Sequence, residues 1–449
     1  MTATRAHPGR GASPRIARAI NDRLALRLLQ QEGPLTAGQL KELTGMSRPS
    51  VADLVERLQD SGLIEVVGES GAARRGPNAR VYGIVAGRAH VAGLDVRVES
   101  IAVEIADLLG RTVARGELPV APDADPARLL EDGVGLLQDT ARAAGVDELH
   151  TVAFGAPGMV DPVTGRLSPT GALPSWHGDL VDEVRKRLGV PVLLENEVNL
   201  AAVAEQRAGA GAGPDGDEAT FALLWLGSGV GAALMLDGRL RRGTSGGAGE
   251  VGFLPLSATG GLPTATDCDN GFHGMAGSRA VCALAREHGV PAGGPQDAAG
   301  AAGAVRSAVS AVAAVSAVAA DAAPAKDGAG GTSGPAVTGS EGPAARGGPA
   351  ATEPLPGAAA AFLDALAARI AVGVASICAV VDPGRVVLAG EVGLAGGRVL
   401  ADRVAERLAR LSPLRTTVHP TAVGAAPILR GAVITAMDAA QDTLFTPPA

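Results

Sequence analysis

Up to about residue 60 the apolar residues of this chain recur at helical spacing, a single strand pair follows, and from His90 onward short strand-like runs alternate with helical stretches. This change of period constrains the fold more than any other feature. No single layer arrangement serves both patterns, so at least two differently built parts must share the chain. The length of 449 residues asks for the same, since one core does not grow that large.

In the first part, Ile16, Ile20, Leu24 and Leu28 predict a helix over 16–31 with that stripe turned inward. Thr36 is placed to cap a short second helix, and Gly45 to end it. In "MSRPSVADLVERLQDSGLI", Ser47 is the N-cap of a third helix, Val51, Leu54, Val55 and Leu58 form its inner stripe, and Gly62 stops it. Two strand-like runs, "LIEVVGE" and "ARVYGIV", follow around "SGAARRGPN". Three helices and a two-stranded wing predict a winged helix-turn-helix over 16–86, behind a flexible polar segment 1–15.

Such a module lays the N-terminal turn of its third helix in the major groove of double-stranded DNA. That turn here holds Ser47, Arg48, Pro49 and Ser50. Arg48 suits a bidentate pair with guanine, and the hydroxyls suit phosphate or base contact. Arg74, Arg75 and Arg80 around the wing tip suit the phosphate backbone or a narrow minor groove. The charge balance points the same way: residues 1–88 carry 13 Lys/Arg against 8 Asp/Glu, and the rest of the chain 26 against 39. The competing reading is a winged helix used for protein contact.

In the second part, "HVAGLDV", "ESIAVEIAD" and "GRTVARGEL" read as three strands. Helices near 126–144, 178–188 and 198–208 alternate with the strands "LHTVAFG" and "VPVLL", and "ATFALLWLG" with "GVGAALMLDG" reads as a hairpin. The pattern is α/β. Val305, Val309, Val312, Val315 and Val318 predict one helix over 301–320, while residues 321–356 show no period and predict a low-complexity, disordered insertion. A helix, the strand "GRVVLAG" and helices near 397–411 and 429–441 close the chain. Three cysteines (Cys268, Cys282, Cys378) make no disulfide framework, no secretory signal is evident, and the apolar window 370–381 is too short for a bilayer, so a cytoplasmic protein without a membrane partner is expected.

Four motifs of the second part, "FGAPGMVD", "ENEVN", "LGSGVG" and "SGGAGEVGF", resemble in order and spacing the ROK family of repressors, open reading frames and sugar kinases. A winged helix ahead of such a body is similar to the family's transcriptional regulators. The resemblance implies a two-lobed, actin-like sugar-kinase fold, with lobes expected at 90–190 and 191–441, and a homodimer or homotetramer.

Tested residue by residue, the resemblance is uneven. Family kinases hold ATP phosphates with D-x-G-G-T, whose glycines let the backbone approach the anion. This chain has "DVRVES": Asp95 is kept, Arg97 and Val98 replace the glycines, and Glu99 replaces the threonine. The second glycine loop, 226–231, keeps its form, which tight backbone packing explains equally well. The family's zinc module is reduced to Cys268, because Phe253, Asn270 and Met275 stand at the other three ligand positions, so no metal is expected. By the same resemblance Thr170, Asn196, Glu197 and Glu250 match sugar contacts, Glu197 standing for the catalytic aspartate. Two further contacts are lost at Phe253 and Gly277, leaving a more apolar site suited to a ligand with fewer hydroxyls. A purely structural alternative is that Glu195, Asn196 and Asn199 cap the next helix.

The expected function is a sequence-specific transcriptional regulator, a repressor of carbohydrate-related genes, with a DNA operator as partner and a sugar or sugar phosphate as effector. No catalysis and no cofactor are expected. The alternatives are an ATP-dependent sugar kinase with a DNA-binding head, and a regulator without a small-molecule ligand.

Overall fold

The computed structural model describes residues 14–70, 79–168, 174–210, 219–256, 260–292, 297–321 and 354–446. The chain divides into two compact units, one holding residues up to 204 and those from 426 on, the other residues 205–425.

The first unit opens with helix α1 (Pro14–Gln31), the short strand β1 (Leu35–Thr36), α2 (Ala37–Thr44) and α3 (Arg48–Asp60). Local chemistry sets these boundaries. Thr36 and Gln39 form a reciprocal capping box at the start of α2, and Gly45 ends it in the left-handed region, φ 69°. Strands β2 (Ile64–Ser70) and β3 (Ala79–Ile84) make the wing, and β1 pairs with β3, giving the order β1-β3-β2. Ala25, Leu26, Leu29, Leu40, Val51, Leu54, Val55 and Leu58 fill the core between the helices.

The inner face of α1 differs from the expected one. Ile20 is 59% and Leu24 41% exposed, and the buried residues are Ala25, Leu26 and Leu29. On the same face Arg57 of α3 donates to Asp22 at 2.6 Å, so the 22/25/26/29 face is the one turned towards α3.

Strands β4 (His90–Val96), β5 (Ser100–Asp107) and β6 (Thr112–Pro119) form an antiparallel meander. After helix α4 (Pro126–Ala143), β7 (Thr151–Ala156) joins β4 in parallel, and after α5 (Trp176–Leu188), β8 (Val192–Asn196) joins β7. The sheet order is β6-β5-β4-β7-β8. Helices α4 and α5 cover one face, where Leu94, Ile101, Val103, Leu137, Phe154, Leu180 and Val184 pack together. Helix α6 (Glu197–Glu205) starts directly at the end of β8.

The second unit repeats the plan. Strands β9 (Phe221–Leu226), β10 (Val230–Leu236) and β11 (Arg239–Arg241) are antiparallel. Helices α7 (His273–Ala276), α8 (Ser278–Glu287), α9 (Ala298–Asp321) and α10 (Pro356–Val381) lead to β12 (Arg385–Ala389). Helix α11 (Gly390–Leu411), kinked at Gly397, leads to β13 (Thr417–Pro420). β12 and β13 are parallel, and the order is β11-β10-β9-β12-β13.

Helix α10 is 26 residues long, more than the apolar window 370–381 indicated, and by length and composition both it and part of α9 meet the requirement for a membrane span. Packing gives them another role. Phe362, Leu363, Leu366, Ile370 and Val374 of α10 and Ala301, Ala304, Val305 and Ala308 of α9 lie in one core with Leu224, Phe272 and Val386. The expected disordered insertion lies outside the described residues except at its edges, Asp321 and residues 354–356, which are placed.

Helix α12 (Pro427–Leu444) returns to the first unit and packs on β4 and β7. It sits close because Gly93 and Gly155 lack side chains: a Cβ on Gly93 would lie 2.7 Å from Val433 N, and one on Gly155 2.6 Å from Ile428 Cγ2. The lobe boundary expected at 190/191 is therefore corrected. β8 extends the first sheet by pairing with β7, and the last helix belongs with that sheet instead of ending the second lobe.

Candidate nucleic-acid interface and effector site

Residues Ser47–Ser50 are exposed at the start of α3. Ser47 Oγ accepts a bond from Ser50 N at 3.3 Å and lies 2.8 Å from Ser50 Oγ, so both hydroxyls are held in the helix cap. Pro49 occupies the first turn, where its missing N–H costs nothing. Arg48, at the first helical position, is exposed and stands on a rigid frame, as base readout requires. On the wing, Arg80 is exposed and is the register partner of Glu69 across β2. Arg74 and Arg75 lie outside the described residues.

Asn196 and Glu197 meet at the junction of β8 and α6, at the C-terminal end of the first sheet's parallel strands. Asn196 Oδ1 accepts from Val198 N at 2.8 Å and Asn199 N at 3.2 Å, capping the helix, and its Nδ2 donates to Gly158 O at 3.0 Å. Buried Glu195 accepts from Asn199 Nδ2 at 2.8 Å and from Asn196 N. The capping alternative is thus realised for Asn196, and Glu195 and Asn199 brace it. Glu197 is half-buried in the first turn of α6, where the helix dipole favours a carboxylate. Thr170 lies outside the described residues.

Glu250 is carried by the second unit, just before the short turn Val251–Phe253. Desolvation by the surrounding loop raises its carboxyl pKa, although the residue keeps solvent access. Phe253 is partly exposed. Nearby, His273 Nε2 stands 3.7 Å from Asp269, and its pKa is lowered by burial, against the pull of Asp269. Burial and the neighbouring Asp269 push the Cys268 thiol upward. Among the described residues no three His, Cys, Asp or Glu side chains are gathered as a metal would require.

Two features of the site were not read from the sequence. Arg97, seen only as a bulky replacement, donates through Nε to Asp95 at 3.0 Å, and Asp95 is 6% exposed. The turn after β4 is closed by an internal ion pair. The second is His177, beside Trp176 at the start of α5. The two rings meet edge to face at 4.2 Å. Burial holds the His177 pKa below its ordinary value, with the Arg97 backbone opposing this more weakly. A histidine one residue into a helix carries no pattern that would have marked it.

A winged helix joined to an α/β body with two sheets of one topology is the class that this geometry defines. The ROK family profile matches residues 91–289, and the MarR family profile matches residues 21–76. Residues 91–289 thus resemble the ROK family, and the segment before them resembles the MarR family of winged helices. Among relatives, the xylose repressor of Bacillus subtilis (strain 168) is 24% identical over 254 residues, 56% of this chain and 64% of that protein, so the match spans less than two thirds of the relative's length. Among solved structures, a ROK family transcriptional regulator, a homologue of the E. coli MLC protein, aligns over 96% of this chain and 98% of its own at 17% identity and TM-score 0.65. The ROK hexokinase from Thermus thermophilus aligns over 79% of this chain and 99% of its own at 23% identity and TM-score 0.54. At these identities the structures establish the fold alone.

Proposed function

We propose that this protein is a sequence-specific DNA-binding transcriptional regulator, a repressor of carbohydrate-related genes, with a sugar or sugar derivative as effector in a body that transfers no phosphoryl group. The observation that carries the reading is the pairing of two devices in one chain. Arg48 is presented at the rigid, exposed start of a winged-helix recognition helix, and the Asp95–Arg97 pair fills the place where a kinase of this fold needs glycines. The similarity to a xylose repressor supports the carbohydrate assignment. Asn196, Glu197 and Glu250, with Thr170, are the proposed effector contacts, and the protein acts in the cytoplasm as a homodimer or homotetramer on a two-fold operator.

Fluorescence anisotropy on the protein's own upstream DNA, titrated with pentoses, hexoses and their phosphates, tests this. Tight, salt-dependent binding released by one compound is the expected result. Arg48→Ala should cost about 1–3 kcal/mol and relax preference at one base position, whereas Arg80→Ala should weaken all DNA alike and lower the salt slope by about one. Binding no tighter than to random DNA overturns the regulator reading. A sugar-kinase reading is favoured by Glu197 at a helix N-terminus and by the kept glycines of 227–229, and sugar-dependent ADP release would establish it.

A further inference from the structure

The main chain passes between the two compact units twice, at 204–205 and at 425–426. A single buried carboxylate fastens these two passages together. Glu205, the last residue of α6, is 1% exposed. Its Oε2 accepts from Thr421 Oγ1 at 2.6 Å and its Oε1 from Ala422 N at 2.9 Å. Thr421 Oγ1 in turn accepts from Val423 N at 3.1 Å, and Thr421 N donates to Leu388 O at 3.0 Å. A carboxylate taken out of water is costly unless its oxygens are bonded, and both of its bonds here go to the other passage.

Two backbone features lie beside it. Ala426, at the second passage, is held in the left-handed region (φ 58°, ψ 48°) immediately before Pro427, a conformation that side chains other than glycine, asparagine and aspartate seldom adopt. Five residues on, Gly431 of α12 lies against α6 so closely that a Cβ would stand 2.0 Å from Leu200 O. The two helices that lead into the passages therefore touch backbone to backbone.

Helix α12 continues from there to the DNA reader. Arg430 Nη1 donates to Gly110 O at 2.7 Å, and Gln441 Nε2 donates to Leu108 O at 2.7 Å. Leu108 N donates to Ala86 O at 3.0 Å, in the linker after the wing. Asp442 pairs with Arg23 of α1 and lies 3.9 Å from Arg27. Helix α6, for its part, begins at Asn196 and Glu197.

We infer that Glu205 is a positioning residue for regulation: it locks the two passages into one joint, so that a displacement there is delivered along α12 to α1 of the winged helix. This deepens the reading as a ligand-responsive regulator and rests on it. Such coupling needs a continuous packed element, and α12 is bonded near one end to Gly110 and near the other to Leu108 and Arg23.

Hydrogen exchange of the full-length protein, read by mass spectrometry, tests the joint without any effector. In Glu205→Ala, exchange over 421–426 should rise about tenfold and exchange over 14–31 severalfold, although α1 lies at the far end of α12. Asp442→Asn should raise exchange over 14–31 and leave 421–426 unchanged. The double variant should raise 14–31 no further than either alone, since both act through one path. An effect of Glu205→Ala confined to 421–426, or additive effects in the double variant, overturns the inference. Should Glu205→Ala fail to melt cooperatively, Thr421→Val removes one donor, keeps the Ala422 bond, and is judged by the same two segments. Anisotropy of these variants on the protein's upstream DNA should show a severalfold altered affinity. Wild-type protein that binds no DNA specifically would sink the regulator reading, and the exchange pattern would still decide the joint.

Discussion

The connection from β4 to β5 and that from β9 to β10 occupy the same place in two sheets of the same topology, and they are built in opposite ways. Each has three residues, 97–99 in the first unit and 227–229 in the second. The first is Arg-Val-Glu, closed by the Asp95–Arg97 ion pair and by Arg97 N donating to Ser100 O at 2.8 Å. The second is Gly-Ser-Gly, and Ser278 donates to Gly227 O through both its N, at 3.0 Å, and its Oγ, at 2.7 Å. A Cβ on Gly227 would meet Glu391 Oε2 at 2.4 Å and Trp225 Nε1 at 2.8 Å. Gly227 is thus favoured by its neighbours, whatever the loop binds. A glycine loop kept in a kinase-like frame is then evidence about packing first, and a glycine loop lost is the more informative observation about phosphate.

The chain's two tryptophans allow the two loops to be weighed separately, because buried Trp176 lies in the first unit and buried Trp225 in the second. The largest effect is expected for Arg97→Ala. It removes the guanidinium that offsets a buried carboxylate, and unfolding followed through Trp176 in a Trp225→Phe background should lose about 3 kcal/mol. The Trp225 transition should stay where it is. A loss below about 0.5 kcal/mol would mean that Asp95 does not depend on Arg97, and the closed-loop picture would fail.

Gly227→Ala should act on the other unit and less strongly. The nearer obstacle is the end of a flexible glutamate, which can swing away, so about 1–2 kcal/mol is expected, seen through Trp225 in a Trp176→Phe background. An unshifted midpoint would show that the turn has room to spare, and its glycines would need a ligand to explain them.

Much of this contrast was legible in the sequence, and the rest was not, for identifiable reasons. The caps at Thr36 and Ser47 and the helix stop at Gly45 depend on contacts within four residues, so their residue types announce them. The loss of glycines at 97 and 98 was equally plain. The rotation of α1 was hidden, because the partners of its inner face, such as Arg57 bonded to Asp22, lie thirty-five positions away, and Ile20 and Leu24 kept helical spacing without being buried. That Asn196 caps α6 is visible only in the bonds from Val198 N and Asn199 N to its Oδ1, and the cap stands beside the effector role proposed for it. The return of α12 to the first unit follows from glycines at 93 and 155, which carry no message until the sheet is built.

Acid should separate the units by a smaller margin. His177 is neutral in the fold because burial lowers its pKa, whereas in the unfolded chain it titrates near its ordinary value of 6.5. Below that value the unfolded chain binds a proton that the folded one refuses, so stability present above pH 6.5 is lost as pH falls toward the depressed pKa. Trp176-reported melting temperature should therefore drop between pH 7.5 and 5.5, and His177→Leu should flatten that slope. His150, also lowered by burial and by Arg88, acts in the same direction. An unchanged slope in His177→Leu would mean that the ring is charged or solvated in the fold. Trp225-reported melting should keep its own acid sensitivity in that variant, since His273 lies in the second unit.

The smallest effect on activity is expected from making the two loops alike. Arg97→Gly, Val98→Gly and Glu99→Thr together restore the backbone freedom and the hydroxyl that a phosphate loop of this fold uses. The variant should lose stability as Arg97→Ala does, yet release no ADP above background with any hexose or pentose. A general base must reach the attacking hydroxyl within hydrogen-bond distance, and Glu197, under the proposed match to a catalytic aspartate, is a methylene longer. A misplacement of about 1 Å can cost roughly 100-fold in rate. Sugar-dependent turnover in the triple variant would show that one loop alone silences a complete kinase site, and the difference between the two connections would then be the whole difference between regulator and enzyme.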